Sequence, residues 1–457
     1  MPDIIVIGGG PGGTAAATRA AQLGASVTLI ERAELGGNCV NRNCVPLLTM
    51  LGSIELYARI QRAGDMGINV SGAELDPAAI AARARETSAG LREGLTALLP
   101  TFGIEIVAGE ASLTGPKQVS VNGQTLQADC GVILATGARW AAPPAGIEPA
   151  AVWTPHEAMT LETIPETLLI WGGGAVECEF ATLYAFLGSK VTLVTDGPHP
   201  LPNEDYEVGQ RVQNGLRNHG ITVMTGATVK AAQKSGDAVT ATINTRKGDS
   251  ELTVDRLLWA GRQPNSAGLG LEKLGVTLKD GAVVVNPQQQ TNKPGLYAIG
   301  DVTGPPYYST TATPEGLAAA ENAMGRPRRL DRRMLPRHAF TIPEVGCVGL
   351  TETQAEDAGF DIEVINIALE TNSRTLALGE AEGGIKIIAN KKQGKILGVH
   401  IVGYRATDLI AEAVLAIQLE ALAEDLAWGL RIHPTYSESL SEGGRAFAGQ
   451  ALYIPKF

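Results

Sequence analysis

The chain has 457 residues, of which 44% are hydrophobic and 19% charged, and its formal net charge is −11. That length suggests roughly three domains, and the composition is that of an ordinary globular protein. The negative charge argues against nucleic acid as a partner, because phosphate binding needs a basic footprint. MPDIIVIGGG has no basic region ahead of its apolar run, so it is not expected to be a signal peptide. No apolar run approaches the ~18 residues of a spanning helix, so no membrane association is expected. Five cysteines are too few for a secreted disulfide framework, which points to a cytoplasmic location.

In chain order, IIVIGGGPGGTAAATRAAQLGASVTLIE from Ile4 reads as buried strand, glycine turn, helix and second strand. Gly8, Gly10 and Gly13 form a GxGxxG loop: one glycine for the tight turn, one for approach to a pyrophosphate, one for helix–strand packing. Glu31 closes the second strand, where an acid can bind ribose hydroxyls. GGNCVNRNCVP follows, with Cys39 and Cys44. Cys130, Cys178 and Cys347 each stand alone in apolar surroundings and read as core, so the pair lacks the further ligands a zinc site needs. A dithiol/disulfide couple is the better reading, against two unpaired structural thiols. If the pair opens a helix, the field there favours thiolate.

GVILATGAR carries a strand into a glycine turn at Gly137. The opening unit then repeats: LLIWGGGAVECEFATLYAFLGSKVTLVT begins at Leu168. Two such βαβ units imply two dinucleotide-binding domains. The second loop keeps Gly172 and Gly174, but Glu177 replaces the third glycine, and Thr195 with Asp196 stands where Glu31 stands in the first. No Lys or Arg occurs in TDGPHPLPNED after Val194, which leans towards NAD over NADP. RLLWAGRQPN is a strand entering a turn at Gly261, and GLYAIGDV is a strand ending in Asp301. From about Pro336 the pattern becomes that of a strand-rich α+β domain, with KKQGK as a hairpin turn and a helix around residues 406–422. His433, with Glu438 five residues on, is a candidate base with a carboxylate to fix its tautomer. The other five histidines form no recognisable cluster, and no metal site is expected.

Taken together, the first glycine loop, GGxCVNxxCVP, the second dinucleotide repeat, GLYAIGD, TxPExxxVG and HPTxxE resemble the flavoprotein disulfide reductases over essentially the whole chain. The resemblance implies an α/β fold of two Rossmann-like domains, for FAD and NAD, plus a C-terminal α+β dimerisation domain. The expected boundaries are 1–145 and 266–335 for FAD, 146–265 for NAD, and 336–457 for the last domain. It further implies that Cys39 meets substrate, that Cys44 lies against the flavin, and that Asp301 holds the FAD ribityl chain. His433 and Glu438 would reach the cysteines of a second subunit, making a homodimer.

Within that family, the end of the chain, Tyr453 to Phe457, has no second thiol pair, which argues against mercuric and thioredoxin reductases. The expectation is an enzyme that oxidises dihydrolipoamide, on a lipoyl-carrying protein or as a small dithiol, through Cys39–Cys44, FAD and NAD+. The alternatives are reduction of another disulfide or persulfide, and an electron-transfer subunit without turnover. One departure stands out: the family's Ser-Lys after CVP is Leu47-Leu48 here, which deprives Glu179 of its expected lysine partner. PPYYSTTATPEG also departs from the family pattern.

Overall fold

A computed structural model describes residues 1–454; residues 455–457, the last three of the expected C-terminal domain, lie outside the described residues. The strand Ile4–Ile7 is buried along its whole length. A strand covered on both faces of a parallel sheet needs this continuous apolar run. Its sheet runs Leu296–Ala298, Gly131–Leu134, Ile4–Ile7, Val27–Glu31, Ile104–Ala108, all parallel. A strand from beyond the second repeat therefore closes the first sheet.

The second sheet repeats the plan, in the order Thr222–Thr225, Lys190–Thr195, Thr167–Trp171, Arg256–Trp259, Val152–Trp153. The third is antiparallel: Arg337–Ala339, Glu344–Gly349, Ile396–Gly403, Gly384–Asn390, Ile362–Ala368. The α/β class with two parallel sheets and a C-terminal antiparallel domain is as the sequence implied. Among the described residues, no helix is long and apolar enough to cross a membrane.

Three details differ from the sequence reading. The helix expected over residues 406–422 ends at Gln418, because Glu420 takes a left-handed φ of 56°, and a separate helix starts at Ala423. Asp301 lies not on a strand but in the 3₁₀ turn Gly300–Thr303 that follows it. Cys130 is only partly buried and precedes its strand, whereas Cys178 and Cys347 are core.

Two packing contacts position the candidate site. The helix Pro11–Gln22 lies so close to Ser309–Ala323 that a Cβ on Gly316 would sit 2.3 Å from the Gly12 carbonyl oxygen. This brings the start of the later helix beside the first glycine loop. The helix Cys44–Gln61 buries Leu47, Met50, Leu51 and Ile54 in one cluster with Phe180, Leu183 and Tyr184 of Ala175–Phe186 and with Val345 of the third sheet. That spacing is one helical face, and each such side chain contributes about 1.5–3 kcal/mol by leaving water. The helix that starts with Cys44 is thus clamped by parts of all three sheets' domains.

Candidate active site

A cavity of about 680 Å³ runs along the carboxyl ends of the first sheet. Gly8, Gly10, Glu31, Gly137 and Asp301 line it, with Cys39 and Cys44. Its glycines answer to sterics. Gly8 has φ 107°, and a Cβ there would sit 2.3 Å from the Ala135 carbonyl oxygen. A Cβ on Gly13 would sit 1.8 Å from the Gly8 carbonyl oxygen. Glu31 is fixed by the N–H groups of Gly9 at 2.6 Å and Ala33 at 2.8 Å.

Cys39 sits in the short helical turn Gly37–Asn41, and only Cys44 opens a long helix. Both are free thiols. The turn is held by Asn38, which donates to the Ala138 carbonyl at 2.7 Å, and by Asn41, which donates to Leu35 at 2.8 Å. The hydrogen bond from Cys44 is the main cause that holds the Cys39 thiol down to about 7; burial opposes it, and Ser309 and Arg262 assist. Cys44 is pushed up by that same hydrogen bond and by burial. Cys39 is therefore the thiol that ionises first in the dithiol, which makes it the better nucleophile at neutral pH.

Sequence reasoning missed Arg262 and Ser309. Arg262 lines the cavity, donates to the Tyr307 carbonyl at 3.0 Å, and lies 3.5 Å from an Asp301 oxygen. Its guanidinium rests on the rings of Trp140, at 5.0 Å, and Tyr307, at 5.7 Å. Burial pushes the carboxyls of Glu177, Glu179 and Asp301 up, and the Arg262 charge partly offsets this, as it also draws both thiols down. The signal available was GRQPN itself. Ser309 begins the helix Ser309–Ala323 and reaches both thiols; it belongs to the tyrosine-rich segment that departs from the family pattern, whose Tyr307 lines the same cavity.

Gly172, Gly174, Glu179 and Gly261 do not line this cavity. A Cβ on Gly261 would meet the Trp259 ring at 2.1 Å, so the glycine answers to that ring. Glu179 is 6% exposed and accepts the Phe340 N–H at 2.9 Å. Burial pushes it up to about 8, and Cys44 and Glu177 add to that. Leu48, where the family has lysine, is 44% exposed and offers it no charge.

His433 is exposed and outside the cavity; its Nδ1 lies 3.0 Å from a Glu438 oxygen. The other Glu438 oxygen accepts the Thr435 N–H at 2.8 Å. Burial pushes Glu438 up, but Thr435 and His433 outweigh it and hold the carboxyl below its ordinary value. Beside the pair, Trp428, Leu430 and Ile432 project apolar surface into solvent. Another histidine does belong to a cluster, contrary to the sequence reading. Glu204, Cys347 and His400 bring one ligand atom each within 4.8 Å of the others, through the cross-strand pairing of Cys347 with His400. The Arg337 guanidinium holds both Glu204 oxygens there, at 2.8 and 3.0 Å, which leaves an ion pair between domains.

The sequence pattern of the pyridine nucleotide-disulphide oxidoreductases matches residues 2–326, and that of their dimerisation domain matches residues 335–443. The chain belongs to this family. It is 37% identical to a dihydrolipoyl dehydrogenase of Rhizobium etli, over 98% of each chain. It is 39% identical to one of Thermus scotoductus, over 99% of this chain and 98% of the relative. Its fold is similar to that of LpdA from Mycobacterium tuberculosis, with a TM-score of 0.88 and 28% identity over 97% of this chain and 99% of that one. The HOCl-induced flavoprotein disulfide reductase RclA from Escherichia coli is similar at a TM-score of 0.84 and 26% identity, with the same coverage. The chain is thus a flavoprotein disulfide oxidoreductase with a dimerisation domain, of a family that uses FAD and NAD(P). The cavity fits FAD: Gly8, Gly10 and Gly12 line it with bare backbone, and the carboxylates of Glu31 and Asp301 stand along it for hydroxyl groups.

Proposed function

We propose that this protein is a homodimeric, cytoplasmic enzyme that oxidises dihydrolipoamide, free or carried on a lipoyl protein, and passes the electrons to NAD+. The observation that carries this reading is the hydrogen-bonded pair Cys39–Cys44 on the cavity that fits FAD. Full-length similarity to dihydrolipoyl dehydrogenases supports it.

In the oxidised enzyme Cys39 and Cys44 form a disulfide. His433 of the partner subunit, oriented by its Glu438, takes the proton from one substrate thiol. The resulting thiolate attacks Cys39 Sγ, the Cys39–Cys44 bond breaks, and Cys44 leaves as thiolate. The second substrate thiol then loses its proton to solvent and attacks the first substrate sulfur; Cys39 leaves as thiolate and the cyclic disulfide is released. The thiol pair now holds two electrons. Exchange proceeds through matched thiolates, and a Cys39 thiol held near neutrality suits both attack and departure. Arg262 and Ser309 stabilise the negative charge that appears on the pair. Bound FAD, held by the loop Gly8–Gly13, Glu31 and Asp301, would accept the electron pair and deliver it as hydride to NAD+.

Steady-state turnover with dihydrolipoamide and NAD+, with NADP+ in parallel, tests the reading. Turnover with NAD+ is expected. A protein that keeps FAD, yet reacts only when supplied with reduced nicotinamide and some other disulfide, would replace it. That second reading draws its support from the altered nucleotide loop, where Glu177 stands in place of glycine.

A further inference from the structure

We infer that Glu177 sets the dinucleotide affinity of the second unit: its own carboxyl group occupies the anion seat of the second glycine loop, and a dinucleotide enters only by displacing it. The inference rests on the proposed reading that this unit receives NAD(H).

The two loops differ at their third position in a way the coordinates make explicit. In the first, no side chain is possible on Gly13, because its Cβ would lie 1.8 Å from the Gly8 carbonyl oxygen. In the second, the backbone admits Glu177, and the side chain folds back over the start of its own helix, Ala175–Phe186. A Cβ built on Gly172 would meet Glu177 Oε1 at 2.8 Å, and one built on Gly174 would meet Oε2 at 2.7 Å. The carboxyl group therefore straddles the turn glycine, Gly172, and Gly174, the glycine whose bare backbone a pyrophosphate would approach. Burial pushes the Glu177 carboxyl up, and the amides of Glu177 itself and of Gly174, together with the Arg262 charge, only partly offset this. Such amides at a helix start are the ones that otherwise bind a phosphate.

The surroundings reinforce this. Gly173 is crowded by the Thr195 hydroxyl, whose Oγ1 would lie 2.4 Å from a Cβ there. That hydroxyl accepts the Gly197 N–H at 3.2 Å and stands where an acid stands in the first unit. The segment that follows, TDGPHPLPNED, supplies no cation to draw the nucleotide in. A pyrophosphate meeting the loop therefore finds its seat filled by the Glu177 carboxyl group, which is also a like charge when ionised, and Glu177 must swing outwards.

The test compares NADH binding to the FAD-loaded protein, its flavin and thiols reduced beforehand so that no hydride is transferred, for wild type, Glu177→Ala and Glu177→Gln, by calorimetry. Both substitutions keep a helix-compatible residue; alanine removes carboxylate and bulk, glutamine the charge alone. We expect the dissociation constant to fall at least tenfold in Glu177→Ala and by less in Glu177→Gln, with melting temperature and FAD content unchanged. NADH binding in Glu177→Ala within twofold of wild type, or weaker, would overturn the inference while leaving the proposed function standing. If none of the three proteins binds NADH, although the dithiol still reduces the flavin, the dinucleotide reading of this unit falls and the inference with it.

Discussion

The first and second glycine loops descend from the same pattern, yet they meet opposite demands. In the first, strand, turn and helix pack until the backbone itself excludes a side chain at Gly13. An acid at the end of the next strand, Glu31, accepts the Gly9 N–H and faces the cavity. In the second, the same turn is wide enough for Glu177, whose carboxylate folds inwards, and the strand-end acid is replaced by a buried threonine. A βαβ unit therefore does not by itself make a phosphate site. The fold supplies the amides, and the residue at the third position decides whether they face a ligand or a neighbour.

The sharpest way to break the comparison is to move the second loop's residue into the first. Gly13→Glu is expected to yield protein without FAD, because its Cβ meets the Gly8 carbonyl at 1.8 Å. Flavin absorbance of the purified variant reads this directly, and full flavin content would show that the first loop can relax as the second does. Next in size is separation of the thiol half from the nucleotide half. Cys39→Ser should lose dithiol turnover by at least about a thousandfold, since a hydroxyl neither ionises near neutrality nor forms a disulfide. NADH should still reduce the bound flavin; loss of both reactions would tie Cys39 to the nucleotide half. His433→Ala should keep FAD and lose about 10²–10⁴ in lipoamide turnover, the range of a general base. Activity within a factor of two of wild type would remove the histidine from the reaction.

What could be read from the chain depended on how local each demand is. The repeat, the first loop and the thiol pair were legible because each is set by residues within about thirty positions along the chain. Arg262 was not, because its place follows from the antiparallel pairing of Arg262–Pro264 with Ala138–Trp140, which brings it against Trp140 and Asp301. Ser309 depended on the contact between Gly12 and Gly316, which sets where its helix begins. Glu204, Cys347 and His400 meet only through strand register and the joint between two domains. The early end of the helix at Gln418 turns on the left-handed backbone of Glu420, which carries no glycine to announce it.

The smallest expected effect tests the place where the two halves touch. Glu179 belongs to the second unit's helix, yet its charge is coupled to Cys44. With leucine at 48, burial raises it to about 8, and the Phe340 N–H and Arg262 only partly offset this. A carboxyl whose folded pKa is raised binds its proton more tightly folded than unfolded. Its contribution to stability is therefore fully present below the unfolded value, ~4.3, and declines as pH rises through about 8. Leu48→Lys supplies a cation four residues after Cys44, on the same helical face. The variant should lose less stability between pH 5 and 8, by on the order of 1–3 kcal/mol. A positive charge near the flavin also favours its reduced anion, so the flavin midpoint potential should rise in the variant. Thermal melts across pH and a potentiometric titration measure the two effects separately. A shift in potential with an unchanged pH profile would place the new lysine at the cofactor and not at Glu179; equal potentials in both proteins would show that Arg262 already supplies the charge the family places at 48.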